Sequence, residues 1–130
     1  MFVGRQNELN ELQEGYDSGT FQCVVLYGRR RIGKTYLISR FIEDKPAIFF
    51  TAQEVNDKLN LSHFTEKVLE FFKMGDSGIE FRDWDSAFKF LADKAKEQQF
   101  VLAFDEFTYA CNANKGLRSI LQNAIDHQFK

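Results

Sequence analysis

Proline, cysteine and tryptophan are scarce in this sequence, long apolar runs are absent, and neither sign of charge dominates. The single proline, Pro46, leaves no Pro-rich linker. The two cysteines, Cys23 and Cys111, belong to no CxxC pair. Cys23 opens an apolar run and reads as a small core residue. The two histidines, His63 and His127, lack the companions that a metal site needs. Lys plus Arg number 17 against 19 Asp plus Glu, so the strongly basic footprint of a nucleic-acid binder is absent from the chain as a whole. No apolar run approaches the ~18 residues of a membrane span. The first residues, Met1-Phe2-Val3-Gly4-Arg5, lack the basic flank and apolar stretch of a signal peptide. The cytoplasm is the default expectation, with no membrane partner.

What is present is ordinary globular composition, 44% hydrophobic and 28% charged, which argues against wholesale disorder. At 130 residues the chain is one domain or part of one. It carries 15 phenylalanines, an apolar load large enough to suggest that some serve surfaces beyond this chain.

Periodicity predicts alternating helix and strand. Leu9, Leu12 and Tyr16 fall at helical spacing over residues 6–15. Cys23–Tyr27 is a short apolar run that reads as a strand buried on both faces. A helix over 34–43 carries Leu37, Ile38, Phe41 and Ile42, and a second strand follows over Ala47–Thr51. Ser62 is the expected cap of a helix bearing Phe64, Val68, Leu69, Phe71 and Phe72. Asp83 is the expected cap of the next, with Trp84, Ala87, Phe88, Leu91 and Ala95 on one stripe. Phe100–Phe104 reads as a third buried strand, and a last helix begins near Gly116. Apolar strands separated by amphipathic helices predict an α/β fold, a parallel sheet covered by helices on both faces.

The motif Gly28-Arg29-Arg30-Arg31-Ile32-Gly33-Lys34-Thr35 matches G-x-x-x-x-G-K-[ST] at every fixed position. A chance match in a chain of this size is roughly half a percent. It follows a predicted strand and opens a predicted helix, as the chemistry requires. Glycines let backbone N–H groups turn inward on a dense anion, and a helix N-terminus adds unpaired N–H groups and a dipole. Lys34 is assigned to the β and γ oxygens of ATP. Thr35 offers its hydroxyl to Mg2+, which keeps most of its waters. Arg29, Arg30 and Arg31 stand in the nucleotide-binding loop and either reach phosphate or point to solvent or to a partner's acidic patch, the second being favoured because the backbone and Lys34 already serve the phosphates; three adjacent arginines do not by themselves establish nucleic-acid binding.

Asp105 and Glu106 follow the third apolar strand. An acid at such a tip faces the crevice where parallel sheets bind ligands. Asp105 is the expected magnesium ligand and Glu106 the residue that orients and deprotonates the attacking water. The second acid, and the failure of Asn112-Ala113-Asn114-Lys115-Gly116 to fit the guanine-reading N-K-x-D pattern, favour ATP over GTP.

These residues carry a resemblance. Phe2-Val3-Gly4-Arg5-Gln6-Asn7-Glu8-Leu9 resembles the FxGRxxEL opening of an archaeal and bacterial P-loop ATPase family of the AAA-like and STAND-like branch. The phosphate loop, Phe50-Thr51-Ala52-Gln53-Glu54 and Asp105-Glu106-Phe107 are similar to its other motifs. Thr108 and Ala110 depart from its pattern after the acidic motif. The resemblance implies an ATPase domain acting with further C-terminal domains or other subunits, with Phe2, Gly4 and Arg5 near the adenine. It also implies a sensor strand between the phosphate-loop strand and the acidic strand, which the chain stops short of supplying. The expectation is therefore residues 1–130 as a partial domain, with two strand edges left open by that missing strand and weak turnover on its own. The alternatives are a nucleotide-responsive switch with negligible turnover, or an inactive remnant.

Overall fold

A computed structural model describes residues 6–19, 21–26 and 32–129, with backbone alone for 6–9 and 32–35. Three strands, β1 (Gln22–Val25), β2 (Ala47–Thr51) and β3 (Val101–Asp105), form one parallel sheet in the order β1-β3-β2. The helices are α1 (Gln6–Asp17), α2 (Ile32–Ile42), α3 (Asp57–Phe71), α4 (Trp84–Ala95), α5 (Phe107–Ala113) and α6 (Leu117–Asn123). A π-helical turn, Ala124–Gln128, continues from α6.

Burial differs from strand to strand. The central strand β3 is buried at every residue, because both neighbours and both helical layers cover it. β2 is an edge strand, and it alternates: Ile48 and Phe50 are buried while Ala47, Phe49 and Thr51 are half-buried. One face of the sheet packs Ile48, Phe50 and Phe104 against Phe64, Trp84, Phe88 and Leu117 from α3, α4 and α6. The other packs Val24, Leu26, Val101 and Ala103 against Leu12, Ile38 and Phe41 from α1 and α2. The expected α/β architecture, helices on both faces of a parallel sheet, is the one observed.

Four expectations need correction. The third helix starts at Asp57, capped by Asn56, whose side chain accepts from the Leu59 N–H at 2.8 Å; Ser62 lies inside the helix and exposed. The early turn was hidden because its buried position is filled by a polar residue, Asn60. Second, Phe107–Ala113 forms a helix where no element was expected. Third, no strand separates β1 from β3: they pair directly, from Gln22 with Val101 to Val25 with Phe104, so the expected gap between them is closed. Fourth, the phenylalanines are not spent on open surface. None of those described is exposed, and Phe50, Phe64, Phe88, Phe104 and Phe107 form a contiguous ring cluster with Trp84. The expected helix start at Asp83 is met by a full capping box with Ser86.

Candidate functional site

Parallel pairing sends the C-terminal ends of all three strands to one edge of the sheet. Beyond the last β1–β3 pair, the Leu26 N–H donates to the Phe104 carbonyl and the Phe107 N–H donates to the Leu26 carbonyl, both at 3.0 Å. Leu26, the residue after β1, is therefore held beside Asp105 and Glu106, one strand spacing of roughly 4.8 Å away. Gly28, Arg29, Arg30 and Arg31 lie outside the described residues, as do Phe2, Gly4 and Arg5. Ile32, Gly33, Lys34 and Thr35 form the first turn of α2, with their side chains outside the description.

Asp105 closes β3 and is 2% exposed. A buried carboxylate must be compensated. Its Oδ1 accepts the Glu106 N–H at 2.9 Å, and the Thr51 hydroxyl stands 3.5 Å from Oδ2. The Asp105 carbonyl accepts the Ala52 N–H at 3.0 Å, which ties the exit of β2 to the same corner. Glu106 is half-buried and left-handed, with φ 54° and ψ 42°, a region in which a side chain other than glycine costs ~1–3 kcal/mol. That bend separates the buried strand from α5, whose first residue Phe107 packs into the ring cluster.

Sequence reasoning missed the residues that frame this corner. Thr51 was read as a strand end and as part of the Phe50–Glu54 motif, with no role beside Asp105. Asn60, fully buried, accepts the Gln53 N–H and donates to the Gln53 carbonyl, each at 3.0 Å, and so clamps the loop after β2 to α3. Asp57, in the first turn of α3, accepts the Trp84 indole N–H at 2.8 Å and the Asn114 carboxamide at 3.3 Å. A polar residue at a buried helical position was the one signal available for Asn60.

Other chemistries find little support. Burial pushes the Cys23 thiol up to about 12, and burial also raises Cys111, so neither is primed as a thiolate nucleophile. Among the described residues no three His, Cys, Asp or Glu side chains converge as a metal cluster. Among the described residues no helix is long and apolar enough to cross a membrane. Two grooves flank α3, one of about 1250 Å³ against residues 73–82 and one of about 530 Å³ against β2; neither is lined by Asp105 or Glu106.

The chain is similar to three proteins of Methanocaldococcus jannaschii. An uncharacterized protein is 35% identical over the whole of this chain, which spans 27% of that relative's length. An uncharacterized ATP-binding protein is 47% identical over 35% of this chain and 76% of its own length. A further uncharacterized protein is 35% identical over 58% of this chain and 72% of its own length. No solved structure matches significantly. The family model described as an ATPase domain predominantly from Archaea matches residues 2–130, and the chain belongs to that family.

Proposed function

We propose that the chain is the nucleotide-binding module of an ATPase, holding ATP between the Gly28–Thr35 loop and the acidic tip of β3. The observation that carries this reading is the seating of β1's exit beside Asp105 and Glu106. Family membership supports it, as does the relative whose name describes it as ATP-binding.

In this reading backbone N–H groups of the loop and the start of α2 bind the phosphates, and Lys34 neutralises the β and γ oxygens. The oxygen donors Asp105 and Thr35 suit a hard cation such as magnesium, and the Asp105 carboxylate is held in place by the Glu106 N–H. Magnesium, when bound, would supply charge neutralisation on the phosphates. Glu106 takes a proton from the water that attacks the γ-phosphorus, while the bond to the bridging oxygen breaks and ADP leaves. Residues 1–130 act as part of a cytoplasmic protein with further domains or subunits, in keeping with the much longer relative. Assignment to the AAA-like and STAND-like branch rests on the sequence motifs alone.

Calorimetric titration with ATP and magnesium tests this. The wild-type chain binds, Lys34→Ala loses most of the affinity while keeping its fold by circular dichroism, and Glu106→Gln binds without turnover. Equal ATP affinity in Lys34→Ala would overturn the assignment.

A further inference from the structure

The acidic tip of β3 is joined to the start of α4 by two hydrogen-bonded routes that meet at Asp57. The first runs along α5. Glu106 precedes this seven-residue helix without any side-chain cap bond, and Asn114 closes it, donating its N–H to the Ala110 carbonyl at 3.0 Å. The Asn114 carboxamide oxygen accepts the Gly116 N–H at 3.0 Å, and its Nδ2 donates to Asp57 at 3.3 Å. The second route leaves Asp105 through the Ala52 N–H and crosses the loop clamped by Asn60 to the first turn of α3, where Asp57 sits. The other Asp57 oxygen holds the indole of Trp84, 1% exposed and the only tryptophan in the sequence.

The ring so formed contains one strained member. Glu106 keeps a left-handed backbone with no glycine to ease it, and such a conformation persists only where its surroundings hold it. A change in φ and ψ there re-aims α5, since seven helical residues move as a short rod of ~10 Å. The end of that rod is Asn114. Its hydrogen bond to Asp57 cannot follow a shift of an ångström or two without lengthening or breaking. Freed or re-aimed, the Asp57 carboxylate changes the charge and hydrogen bonding at the Trp84 indole.

We infer that α5 is a conformational relay of the nucleotide site: the state of the ligand at Glu106 is passed through Asn114 and Asp57 to Trp84 and the start of α4. The inference rests on the ATP reading above and adds a regulated element to it. A ligand shifts such an equilibrium only through different contacts with its two states, and Glu106, placed at the bend, is where bound and hydrolysed nucleotide differ.

The test follows Trp84 emission in the 130-residue chain during titration with ATP and magnesium, with calorimetry on the same samples. The emission maximum is expected to shift with the midpoint of the calorimetric isotherm. Asn114→Ala is expected to bind ATP and lose most of that shift. Asn114→Asp, which keeps an acceptor for the Gly116 N–H and removes the donor to Asp57, is expected to do the same and serves if the alanine variant folds poorly. ATP bound by calorimetry with unchanged Trp84 emission would overturn the relay and leave the ATP reading standing. So would a full shift retained in the Asn114 variants. No calorimetric binding at all would remove the ATP reading, and the relay with it.

Discussion

Glu106 combines a strained backbone with an acidic side chain at the tip of the central strand. Glycine tolerates φ 54° without the Cβ clash, so Glu106→Gly is expected to stabilise the chain by ~1 kcal/mol, measured by thermal or urea unfolding, while abolishing turnover. A loss of stability instead would mean that the glutamate side chain, and not its backbone, holds the bend. Asp83 gives a second prediction at this scale. Its carboxylate accepts the Ser86 N–H, and that hydrogen bond holds its pKa below the usual carboxylate value, with smaller help from the Ser86 hydroxyl and Arg82. A depressed folded-state pKa stabilises above the unfolded value of 3.8 and is lost as pH falls through the folded value. Asp83→Ala is expected to cost ~1 kcal/mol at neutral pH, and the difference from wild type should shrink below about pH 4. This cap was legible in the sequence because Asp83 stands directly before an apolar stripe. The bend at Glu106 was not, since nothing in its residue type announces positive φ.

Among the elements, α3 does the most to place the corner of the site. It carries Asn60, which satisfies both backbone groups of Gln53, and Asp57, which ties α4 and the end of α5 to it. Replacing Asn60 by alanine strands the Gln53 N–H and carbonyl and leaves a cavity. The expected loss is ~2–3 kcal/mol in denaturant unfolding, with the β2 exit released from α3. Replacement without measurable cost would show that water serves Gln53 equally well. The ring cluster between α3, α4 and the sheet makes a parallel case. Phe64→Ala is expected to cost ~3–5 kcal/mol, a large share of the ~5–15 kcal/mol that holds a typical domain. Helices with a clean apolar stripe, such as α4, were readable from spacing. The start of α3 was not, because Asn60 answers to Gln53 across a loop. Nor was α5, a short helix whose buried residues Phe107 and Ala110 are too few to set a period.

At the scale of the molecule, the sheet order brings β1 and β2 to either side of β3, so one edge collects the exits of all three strands. A ligand bound there contacts segments from three parts of the chain and should stabilise the whole fold. ATP with magnesium at a hundredfold excess over its dissociation constant is expected to add ~2.7 kcal/mol, read as a rise in melting temperature. Chelation of magnesium should remove most of that rise, and Lys34→Ala nearly all of it. A rise that survives chelation undiminished would count against the magnesium role of Asp105 and Thr35.

Fold class, the three strands and most of the helices were legible in the sequence, which also carries the two segments to which the proposed chemistry is assigned. Those properties are written in local order: apolar runs of strand length, stripes of helical period, a glycine-spaced loop with Lys34 and Thr35, and an acid pair closing a strand. Tertiary structure alone decided that β1 lies directly against β3, that Thr51 stands by Asp105, and that Asp57 links Trp84 to Asn114. Each joins residues from 27 to 79 positions apart, from Asp57 with Trp84 to Val25 with Phe104. Such contacts depend on which faces the packed layers present to one another, a property of the assembled sheet and helices that no local pattern carries.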